Sequence, residues 1–347
     1  MVALQLIELA GLLPDIKILN IKVAKSNALD ARVAAAFNQF SKVEELQVTG
    51  VALGAGNVIF LLSGMPAVRK LRLQGLIPNF SWRMTNGRSN VGSMPIPNYD
   101  LSALTSLDLH TCDLTANEFA RLTASTSLTH LALNHAGEQT PVSFRGMLPN
   151  ARAITTTSRI APILANADTL LSLCLVLPEV YEPAAAPLVG DQVAAALVGS
   201  RIQHLAIGGE RCLSAPAFFD HLSDGWTSLR TLLLTGCSYN LQRRDGLSPA
   251  GFKASLGKQW TESIQEVVLN GMDMDVDAED ETAWDWDTQL DLVEAVGGKF
   301  KLRNRAFDNP AARRSTRIVE FPHERGFTAK TGKRGGARTK SRSSSRK

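Results

Sequence analysis

Residues 104–114 read LTSLDLHTCDL, and their apolar side chains follow a spacing that recurs along the chain. Leu107 and Leu109 are two positions apart, so they point to the same side of a short strand. Leu104 and Leu114 anchor the turns that enter and leave this strand. A unit of this size cannot bury its own apolar edge, because only stacked copies form a continuous core. The stretch therefore predicts a chain built from stacked repeats.

The spacing resembles the leucine-rich repeat pattern L-x-x-L-x-L-x-x-C-x-L. Its core occurs ten times if a degenerate member around residue 154 is included, with central positions at residues 19, 46, 71, 107, 131, 154, 173, 205, 232 and 267. Segments with helical spacing lie between strands, at residues 30–40, 115–122, 190–198, 215–222 and 248–260, and a last one lies at 288–296. Strands and helices therefore alternate along the chain.

Such an alternation could also form a doubly wound sheet, whose strands read as continuous apolar runs. Polar residues interrupt the strands here, as Glu45 and Gln47 or Lys70 and Arg72 do, which is typical of strands with one face in water. We therefore predict an α/β leucine-rich repeat solenoid, a horseshoe of about ten repeats. Its parallel strands would line the concave face and its helices the convex face.

The solenoid is predicted to occupy residues 1–300, with loop insertions near 79–101, 177–187 and 273–287. Residues 301–325 are expected to form a C-terminal cap or extension, in which 315–321 could add an edge strand. Residues 326–347 consist largely of Gly, Ser, Lys and Arg, a composition that predicts disorder.

The net charge of +4 conceals an asymmetry along the chain. Residues 301–347 carry a charge of +12, and residues 1–300 carry −8. The tail has the composition of a nuclear-localisation or polyanion-binding segment, with Lys333, Arg334, Arg338, Lys340 and Arg342 as the candidate contacts. No aromatic residue follows Phe327 to stack on bases, so any contact with nucleic acid should be weak and sensitive to salt.

The four cysteines, at 112, 174, 212 and 237, form no C-x-x-C pair and have no histidine at zinc-finger spacing. Neither a zinc site nor a disulfide framework is therefore predicted. Cys112 and Cys237 share one repeat position with Val51 and Leu76, which indicates a small buried apolar site rather than thiol chemistry.

The sequence shows no basic leader and no membrane-spanning run of about 18 apolar residues. We expect a monomer located in the nucleus or cytoplasm, neither secreted nor bound to a membrane.

Catalytic and metal-binding motifs are not found in the sequence. Ser106, Asp108 and His110 alternate on one strand, so they lie side by side instead of forming a triad, and no G-x-S-x-G, P-loop or H-E-x-x-H motif occurs. Three alternating aspartates in 273–277 are similar to the start of a calcium loop, but Ala278 stands where that loop needs glycine. We therefore expect no catalytic residue, no cofactor and no metal.

The candidate binding residues are polar side chains on the strands. We expect Glu45, Gln47, Lys70, Arg72, Asp108, His110, His130 and His204 to lie on the concave face, where repeat proteins of this kind bind partners. Trp284 and Trp286 lie in an acidic stretch, where they either anchor an interface or pack beneath the terminal helix.

Over residues 2–296 the chain resembles the cysteine-containing and ribonuclease-inhibitor-like classes of leucine-rich repeat, on stretches such as LTSLDLHTCDLT and LRTLLLTGCSYN. Repeat starts such as LPDIKILNI and MPAVRKLRL are similar to those of fungal F-box proteins. In that family an F-box binds the adaptor of a cullin-based ubiquitin ligase, and the repeats hold the substrate. This sequence contains no F-box before its first repeat, so we expect either a truncated reading frame or a cap formed by residues 2–13.

These observations favour a non-enzymatic scaffold for a protein partner, with the substrate-recognition part of a ubiquitin ligase as the role that the resemblance implies. Two alternatives remain open. One is a nuclear factor that contacts nucleic acid through the basic tail, and the other is a regulator of a small GTPase.

Overall fold

The computed structural model describes residues 2–23, 36–37, 39–50, 62, 64–75, 101–134, 154–177, 188–209, 212–237, 246–270, 284 and 286–304. These residues form one parallel sheet of ten strands, in which each strand pairs with the next one along the chain. The strands are β1 (Ile18–Val23), β2 (Glu45–Gly50), β3 (Lys70–Gln74), β4 (Ser106–His110), β5 (His130–Asn134), β6 (Ser172–Val176), β7 (His204–Gly208), β8 (Thr231–Thr235), β9 (Glu266–Asn270) and β10 (Lys301–Asn304).

The described helices are α1 (Val2–Leu12), α2 (Ala116–Leu122), α3 (Thr156–Ala165), α4 (Val189–Ala196), α5 (Ala215–Ser223), α6 (Pro249–Ser255) and α7 (Trp286–Val296). A short 3₁₀ helix (Gln259–Glu262) follows α6. Buried helix residues such as Phe119 and Phe218 join the strand leucines in one continuous core. The helices therefore lie on one side of the sheet, and we call the opposite side the concave face. The predicted α/β solenoid is confirmed.

The core forms because equivalent apolar positions align across the strands. Leu107 is paired in register with Leu71 on one side and with Leu131 on the other, and all three expose at most 1% of their surface. The same alignment continues to Val267 in β9. Each repeat from β2 to β9 thus buries its apolar edge against its two neighbours, as the opening stretch predicts.

Most predicted helices are confirmed to within about two residues at each end. Thr115 begins α2 with a capping box, in which its hydroxyl accepts from the Glu118 amide and the Glu118 carboxylate accepts from the Thr115 amide. Ser248 caps α6 by accepting from the Gly251 amide at 3.0 Å. The helix predicted at 248–260 is divided into α6 and the 3₁₀ helix. Only residues 36–37 and 39–40 of the helix predicted at 30–40 are described.

The strand predicted around residue 154 is wrong. Ile154 is buried, but α3 begins two residues later, because the Thr155 hydroxyl accepts from the Ser158 amide at 3.2 Å and caps a helix. The tenth strand is instead β10, inside the segment predicted as a C-terminal cap. It pairs only with β9 and ends the described sheet.

A buried asparagine joins two repeats at the end of α3. The Asn166 side-chain oxygen accepts from the Leu128 amide at 2.8 Å, and its nitrogen donates to the carbonyls of Ser125 and Pro162. Since Asn166 exposes 1% of its surface, these bonds replace the water that its amide would otherwise bind. These hydrogen bonds fix the end of α3, in the connection between β5 and β6, to the residues that precede β5.

Several strands are followed by a residue with a left-handed backbone conformation, at the equivalent position of each repeat. The residue after the last strand residue has a positive φ at Gly75, Thr111, Gly209 and Gly236, at 68°, 50°, 100° and 57°. Each of these residues donates its amide to a carbonyl of the following strand, as Gly236 does to Asn270 at 2.9 Å. The turn therefore continues the sheet hydrogen bonding by one residue while it directs the chain off the sheet.

The segment predicted as an N-terminal cap, residues 2–13, contains the helix α1, which exposes several apolar side chains between residues 7 and 12. Ile7, Leu9 and Leu12 expose 46%, 41% and 77% of their surface, whereas Ala10 is buried in the core. Two ion pairs fix the first repeat to the second, between Lys17 and Glu44 and between Lys42 and Asp15. Among the α1 side chains from residue 7 onward, Ala10 is the one that packs in the core.

Several predictions fall on residues outside the described ranges. These are most of the insertions (79–100, 178–187 and 273–283), the extension beyond residue 304 with its edge strand at 315–321, and the basic tail at 326–347. Within the described ranges, no helix is both long and apolar enough to span a membrane.

Candidate protein-binding surface

The strand residues that point away from the core form three rows across the concave face. In β4 these residues are Ser106, Asp108 and His110, because side chains alternate along a strand and Leu107 and Leu109 point into the core. The register places the predicted residues in these rows: Glu45, Lys70, His130 and His204 in the first, Gln47, Arg72 and Asp108 in the second, and His110 in the third.

Six of the eight predicted residues lie on three neighbouring strands, β2 to β4. We call this group the charged concave patch: Glu45, Gln47, Lys70, Arg72, Asp108 and His110. The two other predicted histidines lie apart from it. His130 is on β5, with its Nδ1 2.8 Å from the Thr129 hydroxyl. His204 is on β7, where partial burial lowers its pKa, so that its ring is neutral at neutral pH.

Opposite charges face each other across the strands of the charged concave patch. Lys70 Nζ lies 3.9 Å from Glu45 Oε2, and these residues are directly paired in register between β2 and β3. Arg72 Nε lies 3.4 Å from Asp108 Oδ2, again directly across, between β3 and β4. Cross-strand pairs of this kind stabilise a sheet and fix the positions of long charged side chains.

Burial increases from the rim of this patch to its centre. The side chains of Lys70 and Glu45 are 58% and 43% exposed, whereas those of Arg72 and Asp108 are 23% and 14% exposed. His110 lies on the predicted face, but its side chain is only 4% exposed, and its Nε2 is 2.5 Å from Asp108 Oδ1. His110 is therefore nearly covered, and Asp108 and Arg72 are the more exposed residues at the centre of the patch.

The concave face of the later strands is apolar. Ala132, Cys174, Ala206, Leu233 and Val268 occupy the central row from β5 to β9, with Val176 in the third row beside them. We call these six residues the apolar concave patch. They form a second apolar cluster, separate from the main core. From β5 to β9 the central row is therefore apolar, whereas the first row stays polar, with His130, Ser172, His204, Thr231 and Glu266.

A sequence signal for the apolar concave patch was available. The strands β6 to β9 read SLCLV, HLAIG, TLLLT and EVVLN, with an apolar or small residue at the central position where β3 and β4 carry Arg72 and Asp108. Continuous apolar runs indicate strands that are buried on both faces. Comparing the central residues strand by strand predicts the division of the concave face.

The cysteines at 112 and 237 occupy equivalent places, as the repeat alignment predicts. Each Sγ lies 3.3 Å from the carbonyl oxygen two residues earlier and 3.5 Å from a carbonyl of the preceding repeat, Leu73 or Ile207. Both residues are buried, and burial raises the pKa of the Cys237 thiol to about 12. The predicted buried position is confirmed, and the absence of thiol chemistry stays a prediction.

Trp284 does not form an exposed anchor. It exposes 1% of its surface within the main core, and its indole nitrogen donates to the Leu247 carbonyl at 3.1 Å. Of the two roles predicted for this residue, packing is correct, because a satisfied indole in the core gains more than one left in water. Trp286 is the first residue of α7, and its part in an interface stays a prediction.

The basic contacts Lys333, Arg334, Arg338, Lys340 and Arg342 lie outside the described ranges. Among the residues that are described, no cluster of three or more His, Cys, Asp or Glu side chains could hold a metal ion.

Repeat pattern, parallel sheet and one-sided helices together define a leucine-rich repeat solenoid. No protein-family model matches the chain, and no curated protein matches it. Thirteen chains of solved structures do match. One is the leucine-rich repeat-containing protein LegL7 from Legionella pneumophila, with 18% sequence identity, a TM-score of 0.41 and 85% of each chain covered.

Proposed function

We propose that the protein is a non-enzymatic scaffold that binds a protein partner through the charged concave patch. The observation that carries this proposal is the arrangement of two cross-strand ion pairs on adjacent strands, Glu45–Lys70 and Arg72–Asp108. A partly buried arginine and carboxylate within a more exposed charged rim is the organisation of a binding hot spot. Arginine is also enriched at protein interfaces.

Electrostatics favours a partner that presents both charges. Lys70 and Arg72 neighbour Glu45 and Asp108, so the patch has alternating signs within a few ångströms instead of one dominant sign. Such a surface gives specificity, because a partner with the wrong order of charges meets like charges at close range. A polyanion would meet the two carboxylates as well as the two bases.

Affinity capture from a cell extract tests this proposal, with Lys70→Glu as the first variant. Reversing the charge places two carboxylates opposite each other and should reduce capture of the partner about tenfold or more. Lys253→Glu is the matched control, since Lys253 pairs with Asp291 at 3.7 Å between helices and has a similar exposure of 53%. Equal loss with both variants, or with neither, would contradict the concave binding site.

A finer proposal concerns the role of the captured partner. The repeat starts that are similar to those of fungal F-box proteins support a substrate of a cullin-based ubiquitin ligase. Such a substrate should accumulate in cells when cullin activation is blocked and when Lys70→Glu replaces the parent chain. A partner whose abundance changes in neither case is a ligand of a scaffold that stands outside the ligase.

A second candidate function follows from the charge of +12 on residues 301–347, which favours contact with nucleic acid. Deleting residues 325–347 should abolish retention on nucleic acid, and retention of the parent chain should fall steeply across a salt series. Retention that is unchanged by the deletion would exclude the tail as a nucleic-acid contact.

A further inference from the structure

The strand β1 forms an edge of the sheet at which part of the core is left in contact with water. Among the described strands, β1 pairs only with β2. Leu19 and Ile21 pack against the core but are only partly buried, whereas their register partners Leu46 and Val48 expose 0% of their surface. The stack therefore ends at β1 with its core incompletely covered, and such an end favours association.

The backbone of β1 directs hydrogen-bonding groups away from β2. The Lys17 carbonyl accepts from the Glu45 amide at 3.0 Å, so Lys17 is one of the residues that bond toward β2. Backbone groups alternate in direction along a strand, so Ile18, Asn20 and Lys22 direct their amides and carbonyls outward. The side chains of these three residues are exposed. This edge can therefore bind another strand.

We propose that β1 binds β1 of a second copy of this chain, in antiparallel orientation about a two-fold axis at Asn20. In this register each Asn20 exchanges both backbone hydrogen bonds with its counterpart, and Ile18 does the same with Lys22 of the second copy. These are the three residues whose backbone groups point outward. Leu19 then lies opposite Ile21 on the core-facing side, so the cores of the two copies become continuous.

Charge supports a second copy at this edge. Residues 7–23 carry two acids and two bases, so their net charge is zero. The register places Lys22 opposite Ile18 instead of opposite its own counterpart, which avoids repulsion between like charges. At the other edge of the sheet, residues 299–304 carry three bases and no acid. Two copies joined through β10 would repel each other, and this strand of four residues offers less backbone to a partner.

Exposed apolar side chains lie in and just before β1. Leu12, Leu13 and Ile18 expose 77%, 45% and 57% of their surface. Contiguous apolar surface of this kind marks sites of protein contact. In the proposed pair, the aliphatic stem of Lys22 from the second copy covers Ile18 while its charged end stays in water.

Such a dimer would replace the monomer expected from the sequence and would bring two charged concave patches onto one sheet. A two-fold axis perpendicular to the sheet keeps both concave faces on the same side. The strand β2 and its counterpart would lie three strand spacings apart, which is about 14 Å. The pairing uses no residue of the charged concave patch, so it stands or falls independently of the proposed function.

Disulfide trapping of the full chain tests the register. Asn20→Cys places two thiols across the two-fold axis with Cα atoms about 5.5 Å apart, within the range for a disulfide. Ile18→Cys is the matched control, because the two copies of residue 18 would lie four residues apart along the strands, at about 13 Å. The native cysteines at 112, 174, 212 and 237 are buried. After mild oxidation, Asn20→Cys should migrate mainly as a dimer on a non-reducing gel, and Ile18→Cys as a monomer.

Analytical ultracentrifugation of the full chain without oxidant tests the association itself. The parent should be mainly dimeric at about 100 μM, and Asn20→Pro should raise the dissociation constant about tenfold or more. Proline removes the outward amide of residue 20 and leaves the hydrogen bonds to β2 intact. Asn304→Pro is the matched control on β10, where the Lys301 amide bonds to β9 and residue 304 therefore points outward. This control should leave the dimer unchanged.

Other outcomes would overturn the proposal. A parent chain that is monomeric at the highest concentration, or that forms a series of larger species as head-to-tail contacts do, excludes the two-fold pair. Linking at residue 18 as efficient as that at residue 20, or no linking at residue 20, excludes the register. A dimer that Asn20→Pro weakens no more than Asn304→Pro does not use β1. If Asn20→Pro loses its cooperative unfolding transition, Asn20→Asp replaces it, because two carboxylates facing each other should weaken the dimer as well.

Discussion

Asp108 connects the framework of the solenoid to its candidate binding surface. Its neighbours Leu107 and Leu109 point into the core, while its own carboxylate lies between Arg72 and His110 on the other face. One strand residue thus holds two side chains in place. The opening stretch predicts which side Asp108 faces, but the burial of His110 depends on neighbours that the strand pattern does not specify.

Replacing Asp108 with alanine should destabilise the fold by about 1–3 kcal/mol, because Arg72 and His110 would stay largely buried without their charged partner. Lys70→Ala is the control and should cost no more than about 0.5 kcal/mol, since its ion pair is exposed. Urea denaturation of both variants measures the difference. Equal costs would show that the Arg72–Asp108–His110 contacts contribute nothing beyond a surface ion pair.

Asp191 gives the chain a pH-dependent stability. It lies on α4, and both carboxylate oxygens accept from the Ser214 amide, at 3.0 and 3.2 Å. Burial outweighs these bonds and raises its pKa from 3.8 to about 6. The folded state then binds the proton more tightly than the unfolded state, so this residue's contribution to stability is lost as pH rises from roughly 4 to 6.

Asp191→Asn should remove this loss, because an amide oxygen still accepts from Ser214 without carrying a charge. We expect the variant to be more stable than the parent at neutral pH by about 1–2 kcal/mol. This is less than the free energy to which the whole pKa shift of Asp191 corresponds, because the carboxylate is partly exposed. Denaturation midpoints at roughly pH 4 and pH 7 test this, and the difference between variant and parent should grow with pH. A constant difference would mean that Asp191 does not titrate in this range.

At the scale of single elements, strands were more predictable than what lies between them. Nine strands follow from apolar periodicity, because the alignment of Leu71, Leu107 and Leu131 is imposed by stacking itself. The strand predicted around residue 154 is wrong because the same apolar spacing fits a strand and the start of a helix. The Thr155 cap decides in favour of the helix. The apolar concave patch was readable from the central residues of β6–β9.

The left-handed turn that follows β3, β4, β7 and β8 predicts a selective effect of glycine substitution. Gly236 has a φ of +57° with open space around its Cβ position, so Gly236→Ala should cost about 1–2 kcal/mol from backbone strain alone. Gly257 has equally open space and no positive φ, and Gly257→Ala should be neutral or stabilise by up to about 1 kcal/mol. Thermal unfolding compares the two. A neutral Gly236→Ala variant would show that the left-handed turn is not required to end β8.

The described strands form a linear stack, in which each strand pairs with the strands next to it along the chain. Stability is then approximately a sum of repeat and interface terms, so the cost of a core substitution depends on its place in the stack. The two ends differ: β1 is a six-residue strand beside the exposed apolar residues of α1, whereas β10 has four residues and carries exposed Lys301 and Arg303. Charged, short edge strands resist pairing with other chains. The C-terminal edge is therefore the better protected one.

Two leucines at equivalent positions test this additive description. Leu205 is fully buried between Leu173 and Leu232 in register, and Leu205→Ala should cost about 2–5 kcal/mol because a cavity opens between two repeats. Leu302 is partly buried and has one neighbour in register, Val267, so Leu302→Ala should cost less than about half as much. Hydrogen exchange should show the second substitution loosening β10 and β9 while β4–β6 keep their protection. Uniform loss of protection along the sheet would mean that the solenoid unfolds as a single cooperative unit, in which the position of a repeat does not set its contribution.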